Sequence, residues 1–264
     1  MLSKIRVDHL CFNTAKMQSM GQVTQSRRTR LREATTAEIK ATALKHMASS
    51  GTAAISLRAI ARDMGMTAGA IYSYFDTRDN LVSVLIADVY SSLASALEAA
   101  IKECPKDDAA AQVMSFGQAY RNWAVTNPEE FRLVYGDAVP DYQPPVGGAA
   151  AEAEHRSCAV LTGIVAAAWP KAQHLYIGSD HTWSDFASEF AELIRQSFPD
   201  LPPAAVALSL RVWGRMHGLV SLEVYGHLNP QVRDPEKLYR AELADLSRSL
   251  GHVAVGDPQG VVAG

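Results

Sequence analysis

Residues 56–81 read SLRAIARDMGMTAGAIYSYFDTRDNL, and this stretch decides the fold. Apolar residues recur there at helical spacing, which predicts a short helix from Ser56 to Met64. Gly65 ends that helix, and Thr67 caps a second helix that runs to about Phe75. Two short helices joined by a tight glycine turn form the helix-turn-helix pattern.

Helical patterns also flank this stretch. Thr35 and Glu38 match a capping box for a helix over residues 36–50, which Gly51 ends. A long helix is expected after the second short one, and Pro, Gly and Asn residues separate further helices beyond Pro105. These predicted helices span residues 79–103, 108–126, 129–136, 150–168, 182–198, 203–227 and 236–250. Alternating β-branched runs are scarce, so we expect an all-α protein.

The pattern of residues resembles the tetracycline-repressor (TetR) family of regulators. Its first helix is matched by Ile39, Ala43, Leu44 and Gly51, and its helix-turn-helix by Ser56, Ile60, Ala61, Gly65, Thr67, Gly69, Tyr72, Tyr74, Phe75, Arg78 and Leu81. Residues 213–228 read WGRMHGLVSLEVYGHL and look like the C-terminal domain type named for its Trp-His-Gly motif. The resemblance therefore extends over about residues 36–250.

The resemblance implies four segments along the chain. We expect a flexible extension over 1–26, a three-helix DNA-binding domain over 27–81, a helical ligand-binding and dimerisation domain over 82–252, and a flexible tail over 253–264. Residues 27–80 carry nine Lys or Arg and five Asp or Glu, whereas 81–264 carry 13 basic and 22 acidic residues. A basic end on an acidic body suits a protein that meets a polyanion at one end.

Operator DNA is the predicted partner of the first domain. Small side chains let the second short helix enter the major groove, while hydroxyls, arginines and capped helix N-termini can reach phosphates. Arg78 stands where the family commonly has Lys, and we expect it to contact phosphate. The predicted DNA-binding residues are Ser56, Arg58, Arg62, Thr67, Ala68, Gly69, Ala70, Tyr72, Ser73, Tyr74 and Arg78.

The last two long helices are predicted to form the interface of a homodimer. A stripe with two glycines on the first of them would let another helix approach closely, and the second has a matching apolar face. In the family these helices pair with the same two of a second subunit; packing within one chain is the alternative. The predicted interface residues are Ala207, Arg211, Gly214, Gly218, Ser221, Tyr225, Tyr239, Leu243, Leu246 and Leu250.

A small-molecule effector of unknown identity is the third predicted partner. Large aromatic and sulfur-containing side chains are concentrated in the middle helices, where they can line an apolar pocket or fill the core. The predicted pocket residues are Met114, Tyr120, Trp123, Phe131, Tyr135, Trp169, Trp213 and His217. For His217, a hydrogen bond to a carbonyl or carboxylate is the alternative to a ligand contact.

Several function classes find no support in the sequence. It holds no Gly-rich nucleotide motif, no H-E-x-x-H and no G-x-S-x-G, so we expect neither an enzyme nor a cofactor. Glu223 and His227 lie one turn apart without a third ligand, which favours a salt link over a metal site. Charges interrupt the first residues and no apolar run reaches about 20 residues, so we expect a cytoplasmic protein without a membrane span.

The sequence thus predicts a TetR-like regulator, a repressor that binds a palindromic operator as a dimer and is released by a small apolar or aromatic molecule. Two alternatives stay open. The regulator could act without a ligand, or the helix-turn-helix could be vestigial in a ligand-binding protein or enzyme.

Overall fold

The computed structural model describes residues 26–143 and 149–252. All regular elements in these ranges are helical, which confirms the predicted all-α fold. Except for Ser26, the predicted extension and tail lie outside the described residues. The helices are α1 Arg27–Ser50, α2 Leu57–Asp63, α3 Ala68–Tyr72, α4 Arg78–Lys102, α5 Ala109–Thr126, α6 Pro128–Tyr135, α7 Ala149–Ala172, α8 Ser188–Ser197, α9 Pro203–Val224 and α10 Pro235–Ser249.

Helix α1 begins about two turns earlier than predicted. Ser26 is its N-cap and accepts a hydrogen bond from the backbone amide of Thr29 at 3.2 Å. The predicted capping box at Thr35 is wrong, because the Thr35 hydroxyl donates to the carbonyl of Leu31 one turn back within the same helix. A capping pattern inside a polar helical segment is ambiguous, since threonine can bond to either end of a turn.

Helix α8 begins later than predicted, at Ser188. Residues 182–187 instead contain a short 3₁₀ turn, Trp183–Asp185. The side chain of Asp185 accepts a hydrogen bond from the amide of Thr182 at 2.7 Å, closing a capping box on that turn. This capped turn therefore replaces the first residues of the predicted helix.

The centre of the core is formed by α4, which packs against α5 and α7. By length and composition alone, α4 could also cross a membrane. Its apolar face, including Leu81, Leu85 and Leu93, is buried against the other helices, as in the core helix of a soluble domain. This burial, worth about 1.5–3 kcal/mol per large side chain, is sufficient reason for its apolar sequence.

Helix α10 closes the core against α5 and α9. Its apolar residues Tyr239, Leu243 and Leu246, together with the C-cap residue Leu250, are at most 1% exposed. At the crossing with α5, a Cβ added to Gly117 would meet the side chain of Leu243. Glycine therefore allows the two helices to approach closely at this point.

Candidate DNA interface and aromatic cluster

The turn between α2 and α3 fixes the angle of the helix-turn-helix. Gly65 has φ 64°, and its amide donates to the carbonyl of Arg62 at 3.2 Å, while the amide of Met66 donates to Ala61 at 2.8 Å. These two bonds form a Schellman motif, in which the left-handed residue favours glycine. Buried Ile71 and Phe75 then hold α3 against the three-helix core.

The outer surface of α2 and α3 is open. Thr67 caps α3 by accepting from the amide of Ala70 at 3.2 Å, and a Cβ on Gly69 would meet no other atom. Of the predicted DNA-binding residues, the exposed ones are Arg58, Arg62, Thr67, Ala68, Gly69, Tyr72 and Ser73, and the partly buried ones are Ser56, Ala70, Tyr74 and Arg78. Direct DNA contact by these side chains stays a prediction.

Two of these residues have surroundings that the sequence did not show. Ser56 occupies the N-cap position of α2, but its side chain makes no capping hydrogen bond. Arg78 is engaged within the chain: its Nε donates to the carbonyl of Ile55 at 2.9 Å and its Nη1 to that of Pro140 at 3.0 Å. These two bonds position Arg78 within the chain, and contact of its remaining N–H groups with phosphate stays a prediction.

The segment after α6 contacts the first domain, and we call its residues 136–142 the α6–α7 strap. Arg78 binds this strap through the carbonyl of Pro140. The Thr52 hydroxyl donates to the carbonyl of Ala138 at 3.4 Å, and the hydroxyls of Ser83 and Tyr142 are 3.0 Å apart. Together with Arg78, these contacts join the strap to residues just before α2 and to the start of α4. The strap therefore contacts the chain on both sides of the helix-turn-helix.

Aromatic rings surround His217 on α9, and we call this group the aromatic cluster. Ring centroids lie 4.8–6.3 Å from the imidazole for Tyr120, Phe131, Tyr135 and Trp213. The Tyr120 hydroxyl is 2.7 Å from Nδ1 of His217, and Oγ of Ser221 is 3.1 Å from Nε2. Two hydroxyls satisfy a neutral imidazole, since one accepts its proton and the other donates to its bare nitrogen.

Burial lowers the pKa of His217 below its ordinary value, because the charged ring loses hydration. The carbonyl or carboxylate partner that the sequence suggested for His217 is wrong, because its two nitrogens meet the hydroxyls of Tyr120 and Ser221. Phe131 and Tyr135 of α6 bring the cluster to within one residue of the strap, since Tyr135 ends that helix. The cluster thus joins α5, α6 and α9.

Three predicted pocket residues lie apart from these ring contacts. The indole nitrogen of Trp123 donates to the hydroxyl of Ser92 on α4 at 3.1 Å. Trp169 stacks on Tyr176, with centroids 5.9 Å apart, and Met114 packs partly buried against the main core. Trp123 and Trp169 thus make different contacts, and their place in an effector pocket stays a prediction.

Tyr225, which the sequence assigned to the dimer interface, also lies beside the aromatic cluster. Its ring lies 6.4 Å from Phe131, and the guanidinium of Arg132 lies 5.8 Å from its centroid. Its spacing of eight residues from His217, on the same face of α9, is the signal that could have placed it there.

A buried ion pair fixes α5 against α9. Arg121 donates to both carboxylate oxygens of Glu223, at 2.8 and 2.7 Å. This bidentate geometry raises the pKa of Arg121 through the Glu223 hydrogen bond. The predicted salt link of Glu223 with His227 is wrong, because Glu223 faces α5 and His227 is exposed.

The predicted dimer residues fall into two groups. Ala207, Tyr239, Leu243, Leu246 and Leu250 are at most 7% exposed within the single chain, so they belong to its core and are removed from the predicted interface. The second group is more accessible: Arg211, Gly214, Gly218 and Tyr225 are exposed, and Ser221 is partly so. Leu210, Trp213 and Leu222 add exposed apolar area, each at 40–43%.

A cleft of about 270 Å³ lies at some distance along α9, between that helix and residues 175–181. Its lining includes Asp180, His181 and Arg211, so it is more polar than the aromatic cluster. Across residues 26–143 and 149–252, no three His, Cys, Asp or Glu side chains form a group that could hold a metal ion.

An open helix-turn-helix on a helical body defines the class of DNA-binding transcription regulators. Residues 39–85 match the model described as bacterial regulatory proteins, tetR family, and residues 113–246 match the tetracyclin repressor-like C-terminal domain. HTH-type transcriptional regulators of Mycobacterium tuberculosis and Mycobacterium bovis are 33% identical over 220 residues, covering 80% of this chain and 90% of each relative. The chain belongs to the tetracycline-repressor family.

Solved structures agree with this assignment. The regulatory protein SCO4313 is 33% identical, with a TM-score of 0.65 over 84% of this chain and 98% of that one. A tetR-family regulatory protein from Rhodococcus RHA1, at 20% identity and a TM-score of 0.55 over 83% of this chain and 97% of that one, shares the fold. The family consists of DNA-binding regulators rather than enzymes, which confirms that part of the prediction.

Proposed function

We propose that the protein is a repressor that binds a palindromic operator as a homodimer and releases it when a small apolar or aromatic molecule binds the C-terminal domain. The observation that carries operator binding is the open surface of α3, where Thr67, Gly69 and Tyr72 are exposed beside the arginines of α2. A short helix with small residues at its start fits the major groove.

Operator binding is tested by sequencing genomic fragments retained by the full-length protein and measuring gel shifts with the recovered site. Tyr72→Ala should weaken binding across sequences, because its ring is 40% exposed on α3 and its hydroxyl can reach phosphate. Leu175→Ala removes an exposed side chain of the other domain and should leave affinity unchanged. Equal affinity of wild type and Tyr72→Ala would contradict the assignment of α3.

The exposed face of α9 is proposed as the dimer interface. Leu210, Trp213, Leu222 and Tyr225 flank two glycines, and a Cβ on Gly214 or Gly218 meets no atom of the same chain. Small residues between apolar ones let a second α9 approach closely. Half-sites one DNA turn, about 34 Å, apart would require the dimer to hold its two recognition helices at that spacing.

The interface is tested with Gly218→Arg. The new side chain has room in a single chain, so folding should persist, whereas a close helix contact would bury an unpaired charge. Light scattering should then report a monomer. Gly178→Arg, in open space on the loop before α8, serves as the matched control and should remain a dimer. A stable dimer of Gly218→Arg would place the interface elsewhere.

The aromatic cluster is the proposed effector site. It joins α9 to α6, and α6 leads into the strap, which contacts Thr52 before the helix-turn-helix and Arg78 after it. Tyr135 and His217 are partly exposed, so part of the cluster is accessible without Trp213, which the proposed dimer interface would cover. A ligand that separates these rings would favour one position of α6 over another, and such differential binding is what shifts a conformational equilibrium.

Screening by thermal shift and tryptophan fluorescence, followed by gel shift, tests this site. Tyr135→Leu should weaken the binding of any hit, while Tyr176→Leu, which removes a ring stacked on Trp169 outside the cluster, should not. Hits that bind both variants equally would exclude the cluster. A flat melting temperature across the panel would favour a regulator controlled by its abundance alone.

A further inference from the structure

Four of the first six residues of α1 are arginines: Arg27, Arg28, Arg30 and Arg32, all of them exposed. The first buried residue of α1 is Ile39, so this basic segment contributes no side chain to the core. Arg27, Arg28 and Arg30 have no ion-pair partner among residues 26–143 and 149–252. Within the described residues, therefore, no carboxylate neutralises their charge.

Arg32 fixes this segment beside the recognition helix α3. Its Nη2 donates to the carbonyl of Ser73 at 2.7 Å, and its guanidinium lies 4.8 Å from the centroid of the Tyr74 ring. Ser73 is the C-cap of α3, so the start of α1 runs past the end of the helix that enters the major groove. Each side of that groove is bordered by phosphates.

Helical spacing distinguishes the arginines. Arg28 is four residues before Arg32 and lies on the same face of α1, one turn further out. Arg30 is two residues from Arg32 and points about 160° away from it. Arg28 therefore continues the face that touches α3, whereas Arg30 continues the opposite face.

We propose that Arg28, held beside the end of α3 by Arg32, binds phosphate oxygens of duplex DNA and extends the interface beyond the helix-turn-helix. The inference rests on the proposed operator binding. Guanidinium groups bind phosphate bidentately, and no carboxylate of the described chain competes for Arg28. Phosphate contact adds affinity for any sequence and makes it depend on salt.

Gel-shift titrations of the full-length dimer at 50 and 200 mM salt test the proposal, with a mixed-sequence duplex as probe alongside a retained genomic fragment. Arg28→Ala should lower the slope of log affinity against log salt by about 2, one contact for each protomer, and Arg28→Lys should restore it. The matched control is Arg30→Ala, which removes the same charge from the other face and should change the slope by less than half as much.

Two results would overturn the proposal. An unchanged slope in Arg28→Ala would show that this face does not touch phosphate, and equal changes in Arg28→Ala and Arg30→Ala would show only a diffuse effect of charge. Circular dichroism should find both variants as helical as wild type, because neither side chain is buried. If wild type binds neither duplex, the proposed function fails as a whole; wild-type binding with an unaffected Arg28→Ala overturns this inference alone.

Discussion

At the scale of single residues, His217 shows how burial converts a titratable group into a structural one. Its ring packs between Phe131 and Trp213, and its two nitrogens meet hydroxyls instead of a carboxylate. No opposite charge offsets the lost hydration, so the neutral form is favoured and the pKa is lowered.

The lowered pKa of His217 predicts a pH dependence of stability. The unfolded chain binds a proton at this residue near pH 6.5, while the folded chain resists protonation until lower pH. The unfolded state therefore binds more protons in this window, and the free energy of unfolding should fall as pH decreases below about 6.5. His217→Gln should flatten that decrease in urea titrations at pH 5 to 7.

Exposed His227 provides the control for this measurement. His227→Gln should keep the wild-type pH dependence, because its side chain is not buried in the cluster. Identical pH profiles for wild type and His217→Gln would refute the role assigned to burial.

Arg78 is a second residue whose role depends on its surroundings. The side chain is 28% exposed, and both of its hydrogen bonds go to backbone carbonyls. Arg78→Ala should lower the free energy of unfolding by about 2 kcal/mol, typical of hydrogen bonds from a charged donor. We expect weaker DNA binding with an unchanged salt slope, because both hydrogen bonds seen for Arg78 stay within the chain.

Urea unfolding and gel shifts at two salt concentrations check both parts. A salt slope reduced by about one per protomer in Arg78→Ala would instead restore the phosphate contact that the sequence resemblance implies.

At the scale of elements, the crossing of α5 and α10 explains why α10 is part of the core. Gly117→Ala should destabilise the protein, because the added methyl group meets fully buried Leu243 and overpacking costs about 1–3 kcal/mol. The better helix propensity of alanine offsets about 1 kcal/mol of that loss. Thermal melts should therefore give a lower melting temperature.

Gly163→Ala on α7 is the matched control, because it changes helix propensity without a close contact. A Cβ at Gly163 would lie 3.9 Å from the ring of Phe198, an ordinary contact, so this substitution should be neutral or stabilising. Equal melting temperatures for the two alanine variants would mean that α5 and α10 are not closely packed.

Sequence reasoning identified these elements better than it identified their neighbours. The apolar period of α10 correctly predicted which face is buried, but an apolar face looks the same whether it meets α5 or a second subunit. For the same reason, the sequence does not show that Trp169 stacks on Tyr176 or that Arg78 binds the carbonyls of Ile55 and Pro140. The helix-turn-helix was predictable because its turn, cap and core positions are all local in sequence.

At the scale of the whole molecule, we propose the strap as the link between the effector site and the DNA-binding surface. Coupling between two sites is reciprocal, so a ligand that weakens DNA binding by some factor must itself bind more weakly, by that factor, to the DNA complex. The hydrogen bond between Ser83 and Tyr142 joins the strap to α4 without touching the aromatic cluster or the outer face of α3.

Removing that bond should reduce coupling while leaving both sites intact. We expect Tyr142→Phe and Ser83→Ala each to bind DNA alone and effector alone as wild type does. In these variants the effector should weaken DNA binding about fivefold less than it does in wild type, since one hydrogen bond is worth about 1 kcal/mol. Ser95→Ala on the same helix, whose hydroxyl donates only to Ser91 one turn back, is the matched control and should keep full coupling. Gel shifts with and without the effector, together with effector titrations of free and DNA-bound protein, measure the factor from both directions. Full coupling in both strap variants would mean that the signal reaches α3 by another route, such as the packing of α4 against α7.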